Sequence, residues 1–277
     1  MDHIVVGVDG SESAKAALRW AVDEGSLHDA TVVALLAWSY LDQPDRAGDN
    51  DFDPGYGAEE AQAELRAAVE AVAPDVAVEQ QVVCDLPARA LLEAGAGADL
   101  LVVGARGLGG FKGLLLGSVS ERVIEEAKCP VVVVRQEHAG AANQPLVVGI
   151  DGSETSTRAL RWAAREAQSR NTALRVVHAW QLPALAVPGD RRLGDVAESG
   201  AQAVLDEALA DPALAGQRVE PYLAYGGAAN AVLEHAGDAS LVVVGSRGRG
   251  LFGRILLGST SRQLAHHAPC PTVVVPH

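Results

Sequence analysis

Apolar residues along this chain fall into short runs of strand length, separated by longer stretches in which Ala and Leu alternate with charged positions. In the first half the runs lie at 4–8, 31–38, 76–83, 99–103 and 130–135. The intervening stretches at 13–27, 57–73, 87–96 and 118–127 read as helices. The second half repeats the scheme, with strands predicted near 146–150, 173–179, 218–224, 240–244 and 271–275 and helices between them. Strand–helix alternation at this spacing means βαβ units, parallel sheets and right-handed crossovers.

The two halves are copies of one unit. Val5-Val6-Gly7-Val8-Asp9-Gly10-Ser11-Glu12 returns as Val147-Val148-Gly149-Ile150-Asp151-Gly152-Ser153-Glu154, and Ala17-Leu18-Arg19-Trp20-Ala21 returns as Ala159-Leu160-Arg161-Trp162-Ala163. A period this long is that of a whole domain, not of a solenoid repeat. Domains are therefore expected at 1–137 and 145–277, joined near Gln136–Gln144, where the Val pattern breaks.

One glycine pattern is written in both copies. Gly104-x-x-Gly107, nine residues and Gly117-Ser118 recurs as Gly245-x-x-Gly248, nine residues and Gly258-Ser259. Each follows an apolar run and precedes a helix. A strand, a glycine-rich loop and a helix N-terminus together make a phosphate cradle, because the glycines admit the anion to the backbone and free N–H groups point at it. The plainer alternative is a flexible turn followed by a capped helix. Matched spacing, and Ser118-Val119-Ser120 against Ser259-Thr260-Ser261, favour the cradle. Asp9 and Asp151 end the first strand of each copy. Each either accepts from a ribose or adenine edge or reaches a metal through water, or else is an Asx-turn or N-cap for the helix after Ser11 or Ser153. Arg106 and Arg247 sit inside the loops, where they either pair with phosphate or stand as surface charges. Trp38 and Trp180 end the second strands, and core packing is their expected fate over walling a base pocket.

Charge and composition narrow the partners. The chain has 277 residues, 48% of them hydrophobic, and a formal net charge of −14. That balance disfavours a nucleic-acid surface and an anionic membrane surface, while backbone dipoles and a few arginines still allow an anionic ligand. No apolar run has membrane-spanning length and no leader is visible at the N-terminus, so a cytoplasmic protein is expected. The three cysteines form no CxxC pair, and Cys129 and Cys270 occupy matching positions as small hydrophobes. The acidic loop Asp49–Gly55 with Glu60 imitates a calcium loop but places Pro54 where glycine is required, so a solvated loop is expected. His266-His267 are adjacent on a helix and do not share a face, so they are not read as a metal pair.

Together these residues resemble the universal stress protein family in its tandem-domain form. Both copies match the family's ATP-binding signature Gly-x2-Gly-x9-Gly-Ser/Thr, and the likeness covers nearly the whole chain. The resemblance implies an α/β fold: two tandem open five-stranded parallel sheets, order 3-2-1-4-5, with helices on both faces in the Rossmann-like manner. It implies ATP between strands one and four of each domain, with Mg2+ as the ion accompanying the nucleotide. Carried over, Gly7, Asp9 and Ala37 (or Trp38) would contact adenine and ribose. Val103, Gly104, Arg106, Gly107 and Gly110 would line ribose and phosphate, and Gly117, Ser118, Val119 and Ser120 would hold the phosphates. In the second copy the set is Gly149, Asp151, Val244, Gly245, Arg247, Gly248, Gly258, Ser259, Thr260 and Ser261, with Leu251 standing where Gly110 would be matched. The last strands would pair across a pseudo-two-fold, within one chain or in a homodimer.

The function so implied is that of an ATP-binding regulator of the stress response. The alternative on the same fold is a slow ATPase or nucleotidyl-transfer enzyme. Against it, no Gly-x4-Gly-Lys-Ser/Thr loop occurs and no catalytic set can be assigned near the glycines. A scaffold with vestigial sites is opposed by the intact glycines of both copies.

Overall fold

The computed structural model describes residues 1–39, 56–108, 115–135, 144–182, 191–248 and 257–277. The chain divides into two compact units, Met1–His138 and Ala139–His277. In the first, β1 (His3–Gly7), β2 (Thr31–Trp38), β3 (Glu79–Cys84), β4 (Leu100–Gly104) and β5 (Val131–Val134) alternate with α1 (Glu12–His28), α2 (Ala58–Val72), α3 (Pro87–Gly95) and α4 (Ser118–Glu126). In the second, β6 (Leu146–Ile150), β7 (Leu174–Trp180), β8 (Val219–Tyr225), β9 (Leu241–Gly245) and β10 (Thr272–Val275) alternate with α5 (Glu154–Ser169), α6 (Arg191–Leu209), α7 (Ala228–Glu234) and α8 (Ser259–His267). A 3-10 turn at Pro212–Leu214, which the apolar pattern does not signal, precedes β8.

Every pairing within a unit is parallel. The first unit runs β3-β2-β1-β4-β5 and the second β8-β7-β6-β9-β10, so both have the order 3-2-1-4-5. The order reverses between β1 and β4 and between β6 and β9, which is where an open α/β sheet leaves a crevice at its carboxyl ends. Helices cover both faces. Val6 lies beside Val102 in register, so Gly7 and Gly104, one and two residues further along, point to opposite faces. A Cβ on Gly7 would meet Leu91 of α3 at 3.1 Å, whereas one on Gly104 would meet Ser13 of α1.

The central strands are apolar because both faces are covered. Ile4, Leu100 and Leu101 in the first unit and Leu146 and Leu241 in the second are fully buried, as are Leu18 of α1 and Leu160 of α5. Each such leucine contributes about 1.5–3 kcal/mol through removal from water. Helix starts follow local chemistry. Ser11 and Ser153 cap α1 and α5 by accepting from the Ala14 and Ser156 N–H groups, both at 3.1 Å. Strand β3 begins at Glu79, not at residue 76, because the Val76 N–H turns back to the Ala73 carbonyl at 3.3 Å and pairing with β2 starts only at Val33–Glu79.

Candidate functional site

The crevice of the first unit is built where β1 and β4 end. Asp9 follows β1, half-buried, and its two carboxylate oxygens do different things. Oδ1 accepts from the Ser11 N–H at 3.0 Å, which closes an Asx-turn into α1. Oδ2 accepts from the Leu108 N–H at 3.2 Å and so holds the glycine loop. Asp151 makes the same turn, accepting from the Ser153 N–H at 3.0 Å. Each aspartate therefore heads an Asx-turn, and Asp9 also holds the loop.

The three glycines of each signature have different reasons. A Cβ on Gly104 would stand 2.7 Å from the Ser13 carbonyl carbon, and one on Gly245 2.8 Å from Thr155 Cγ2. These glycines let the strand ends approach α1 and α5. A Cβ on Gly107 or Gly248 would collide with Oδ2 of Asp9 or Asp151. Gly117 and Gly258 differ: a Cβ there would meet its nearest protein atoms at 3.6 Å and 3.4 Å, and both backbones are extended, with φ of −82° and −69°. Packing among the described residues does not require glycine at either.

Gly117 and Gly258 are the N-caps of α4 and α8, and among the described residues no side chain caps either helix. Their own N–H groups are tied back to the loop, to the Ala105 and Ser246 carbonyls at 2.8 Å and 2.7 Å. The first helical turns then show one pattern in both units: Ser118 and Ser259 exposed, Val119 and Thr260 half-buried, Ser120 and Ser261 buried. The Ser120 and Ser261 hydroxyls donate to the Gly104 and Gly245 carbonyls, both at 2.6 Å. They anchor the helix to the strand end, which leaves their backbone N–H groups for any anion. Val103 and Val244 are buried in the sheet, so a ligand would meet them only through the backbone. Ala37 is half-buried at the end of β2, next to Trp38. Trp38 is buried in an edge-on contact with Tyr56, 6.4 Å between ring centroids, as core packing predicts.

Cationic groups gather at the loops. Arg106 is exposed, with its backbone held by Ser11 and Ser13: its carbonyl accepts from Ser11 Oγ and its N–H donates to Ser13 Oγ, both at 3.3 Å. Arg135, which follows β5, has its affinity for protons lowered by burial first and by the neighbouring Arg106 charge second. In the second unit the Arg247 Nε is buried and has no acceptor among the described residues. Sequence reasoning missed Ser13 and Arg135. The first was visible as a hydroxyl kept in both copies, Ser-Glu-Ser against Ser-Glu-Thr; for Arg135 the second copy offers Pro276 and hence no signal.

Gly110 and Leu251 lie outside the described residues, as does the acidic loop Asp49–Gly55. Glu60, the last position of that calcium-like pattern, accepts from the Gly57 N–H at 3.0 Å and so serves the start of α2.

The family model for the universal stress protein family matches residues 1–135 and again 142–276. The chain belongs to the universal stress protein family. Among its relatives, a universal stress protein of Mycolicibacterium smegmatis is 34% identical over 98% of this chain and 96% of its own length. One from Mycobacterium tuberculosis is 32% identical over 98% and 95%. In fold, the chain resembles the crystal structure of a universal stress protein from Archaeoglobus fulgidus with a TM-score of 0.65 at 23% identity, covering 99% of this chain and 98% of that one. The tandem arrangement is thus shared along the full length of these universal stress proteins. Among the described residues, no helix is long and apolar enough to cross a membrane.

Proposed function

We propose that each unit binds one adenine nucleotide, ATP in the first instance, in the crevice between its first and fourth strands, and that the protein acts as a nucleotide-responsive regulator. The observation that carries this reading is the pair Gly117 and Gly258. The signature's other glycines answer to protein contacts, whereas these two do not. A phosphate seated on the uncapped first turn of α4 or α8 supplies the missing reason, since a Cβ at the N-cap would stand where the anion meets the backbone.

Donor groups support the same ligand. The N-terminal turn carries the positive end of the helix dipole. A buried guanidinium nitrogen without an acceptor, as at Arg247, is a group that a phosphate oxygen would satisfy. On this reading Asp9 and Asp151 accept from the sugar or base edge, and the ends of β2 and β7, at Ala37 and Ala179, present backbone to adenine. Mg2+ would arrive on the phosphates, which is its usual mode in nucleotide sites.

Mass spectrometry of small molecules released from the purified chain tests the proposal, together with calorimetric titration of ATP into nucleotide-free protein. The expected result is two sites per chain. At 100 times the dissociation constant each site adds about 2.7 kcal/mol to folding stability if only the folded form binds. Absence of any released nucleotide, with no titration heat and no thermal shift, would overturn it.

A further inference from the structure

The two units are built alike but differ on the open face of their third strands. In the first unit a groove of about 610 Å3 lies on the α3 side of the sheet. Val5, Val33 and Val83 form its floor, Ala90 and Ala94 one wall, and the carboxylates of Glu79 and Glu93 stand at its rim. Val33 is opposite Glu79 in the register of β2 and β3.

The second unit has the same register at the same place, with Arg175 opposite Glu220. There the floor position matching Val33 carries a guanidinium. Arg175 Nε donates to Glu220 at 3.2 Å, and its terminal nitrogens reach Asp238 and the His235 carbonyl, the latter at 2.9 Å. These bonds, that to Asp238 foremost, raise the affinity of Arg175 for its proton. Beside it Tyr222, which matches Gln81, stacks on His235, which matches Ala94, with ring centroids 4.0 Å apart. Three larger side chains thus stand in the second unit at the positions that Val33, Gln81 and Ala94 hold in the first.

We infer that the groove of the first unit is a binding site for an alkyl guanidinium or alkyl ammonium cation, whose stem lies on Val5, Val33 and Val83 and whose head pairs with Glu79. Arg175 is the internal precedent: a guanidinium on the matching glutamate, Glu220, completed there by Asp238, where the first unit has Gly97. The volume is in the range of small-ligand sites, and the chain's net charge of −14 favours cation capture. The site is separate from the nucleotide crevice and does not depend on that reading.

Titration of the full chain with butylguanidinium, followed by calorimetry or ligand-observed NMR, tests this. One site per chain is expected, with the neutral analogue butylurea binding more weakly by about two- to fivefold, as loss of one charge pair near the surface implies. Glu79→Gln, at an exposed edge position, should weaken butylguanidinium by a similar factor. Gln81→Tyr, the residue of the second unit, should block it. Val33→Arg should abolish it if the variant keeps its thermal transition; where it does not, Glu79→Gln and Gln81→Tyr decide. An acetylated Ala-Arg-Ala amide is the second probe: tighter binding of the peptide identifies a protein side chain as the source of the cation, and tighter binding of butylguanidinium a free metabolite. No saturable binding of either probe below about 10 mM, or binding unchanged by Glu79→Gln and Gln81→Tyr, would overturn the inference.

Discussion

Gly107 has no side chain where the Asp9 carboxylate stands: a Cβ built on it would run into Oδ2, the oxygen that accepts the Leu108 N–H at 3.2 Å. Gly248 bears the same relation to Asp151. The end of the first strand and the loop after the fourth are thereby fitted to each other across the crevice. Removing the carboxylate should loosen both sides of it. Asp9→Ala is expected to cost about 1 kcal/mol of folding stability through loss of the Ser11 and Leu108 bonds, and to weaken ATP binding at the first site alone. Urea denaturation and titration of the variant check both parts. Unchanged stability with unchanged affinity would mean that Asp9 holds neither the loop nor a ligand.

The glycines can be separated by substitution. Gly104→Ala forces a Cβ to 2.7 Å from the Ser13 backbone, so a loss of about 1–3 kcal/mol is expected. Gly117→Ala places a Cβ in ordinary contact, 3.6 Å from its nearest protein neighbour, on a backbone any residue adopts. Stability should then change by less than about 0.5 kcal/mol, while ATP affinity at that site falls tenfold or more. A stable Gly117→Ala protein with intact affinity would remove the phosphate from the α4 N-terminus.

Ser120 and Ser261 offer the converse. Their hydroxyls are buried, 5% and 2% exposed, and donate to the Gly104 and Gly245 carbonyls. Ser→Ala at either leaves a strand-end carbonyl short of its donor, for a cost of about 1–3 kcal/mol. Any loss of ATP affinity should accompany a displaced α4 or α8, visible in amide exchange of the first helical turn. Affinity loss with unchanged stability would instead assign these hydroxyls to the phosphates directly.

Much of this was legible in the chain. Valine runs and Asp-Gly-Ser starts place β1, α1, β4 and α4 because local pattern and local caps decide them. The strand order 3-2-1-4-5 follows from the family likeness and holds in both units. What the sequence hides is contact across long separations. Nothing in the Gly-x-x-Gly spacing tells that Gly104 answers to Ser13 and Gly107 to Asp9, each more than ninety residues away. Nor does a serine after Gly-Ser reveal that its hydroxyl turns back to a strand carbonyl. The difference between Val33 and Arg175 is written plainly in both copies, yet its meaning needs the register with Glu79 and Glu220.

Acid should act on the first unit at a point where the second is indifferent. Asp99 accepts from the Asp2 N–H at 2.6 Å and the His3 N–H at 3.1 Å, and these bonds, that of Asp2 foremost, hold its carboxyl below the usual range. At the matching place Ser240 donates to the Gln144 carbonyl at 3.0 Å and has no charge to lose. Because the folded value is depressed, the stabilisation is complete above the ordinary carboxyl value near about 4 and disappears as pH falls through the lower folded value. Asp99→Asn should therefore flatten the acid limb of the stability curve at its lowest pH end, and Ser240→Ala should not. Equal acid limbs in wild type and Asp99→Asn would dismiss the linkage.

The three thiols should separate cleanly by reactivity. Cys129 and Cys270 are buried ahead of β5 and β10, and burial pushes them up to about 11 and about 12. Cys84 ends β3 and is exposed. Since the thiolate is the reacting species, the native protein treated with a chromogenic disulfide at about pH 8 should show one fast equivalent, and all three only in denaturant. Cys84→Ser should remove the fast phase and leave the slow ones. Two or more fast equivalents in the native chain would mean that the ends of β4–β5 or β9–β10 open more readily than their packing around Leu101 and Val242 implies.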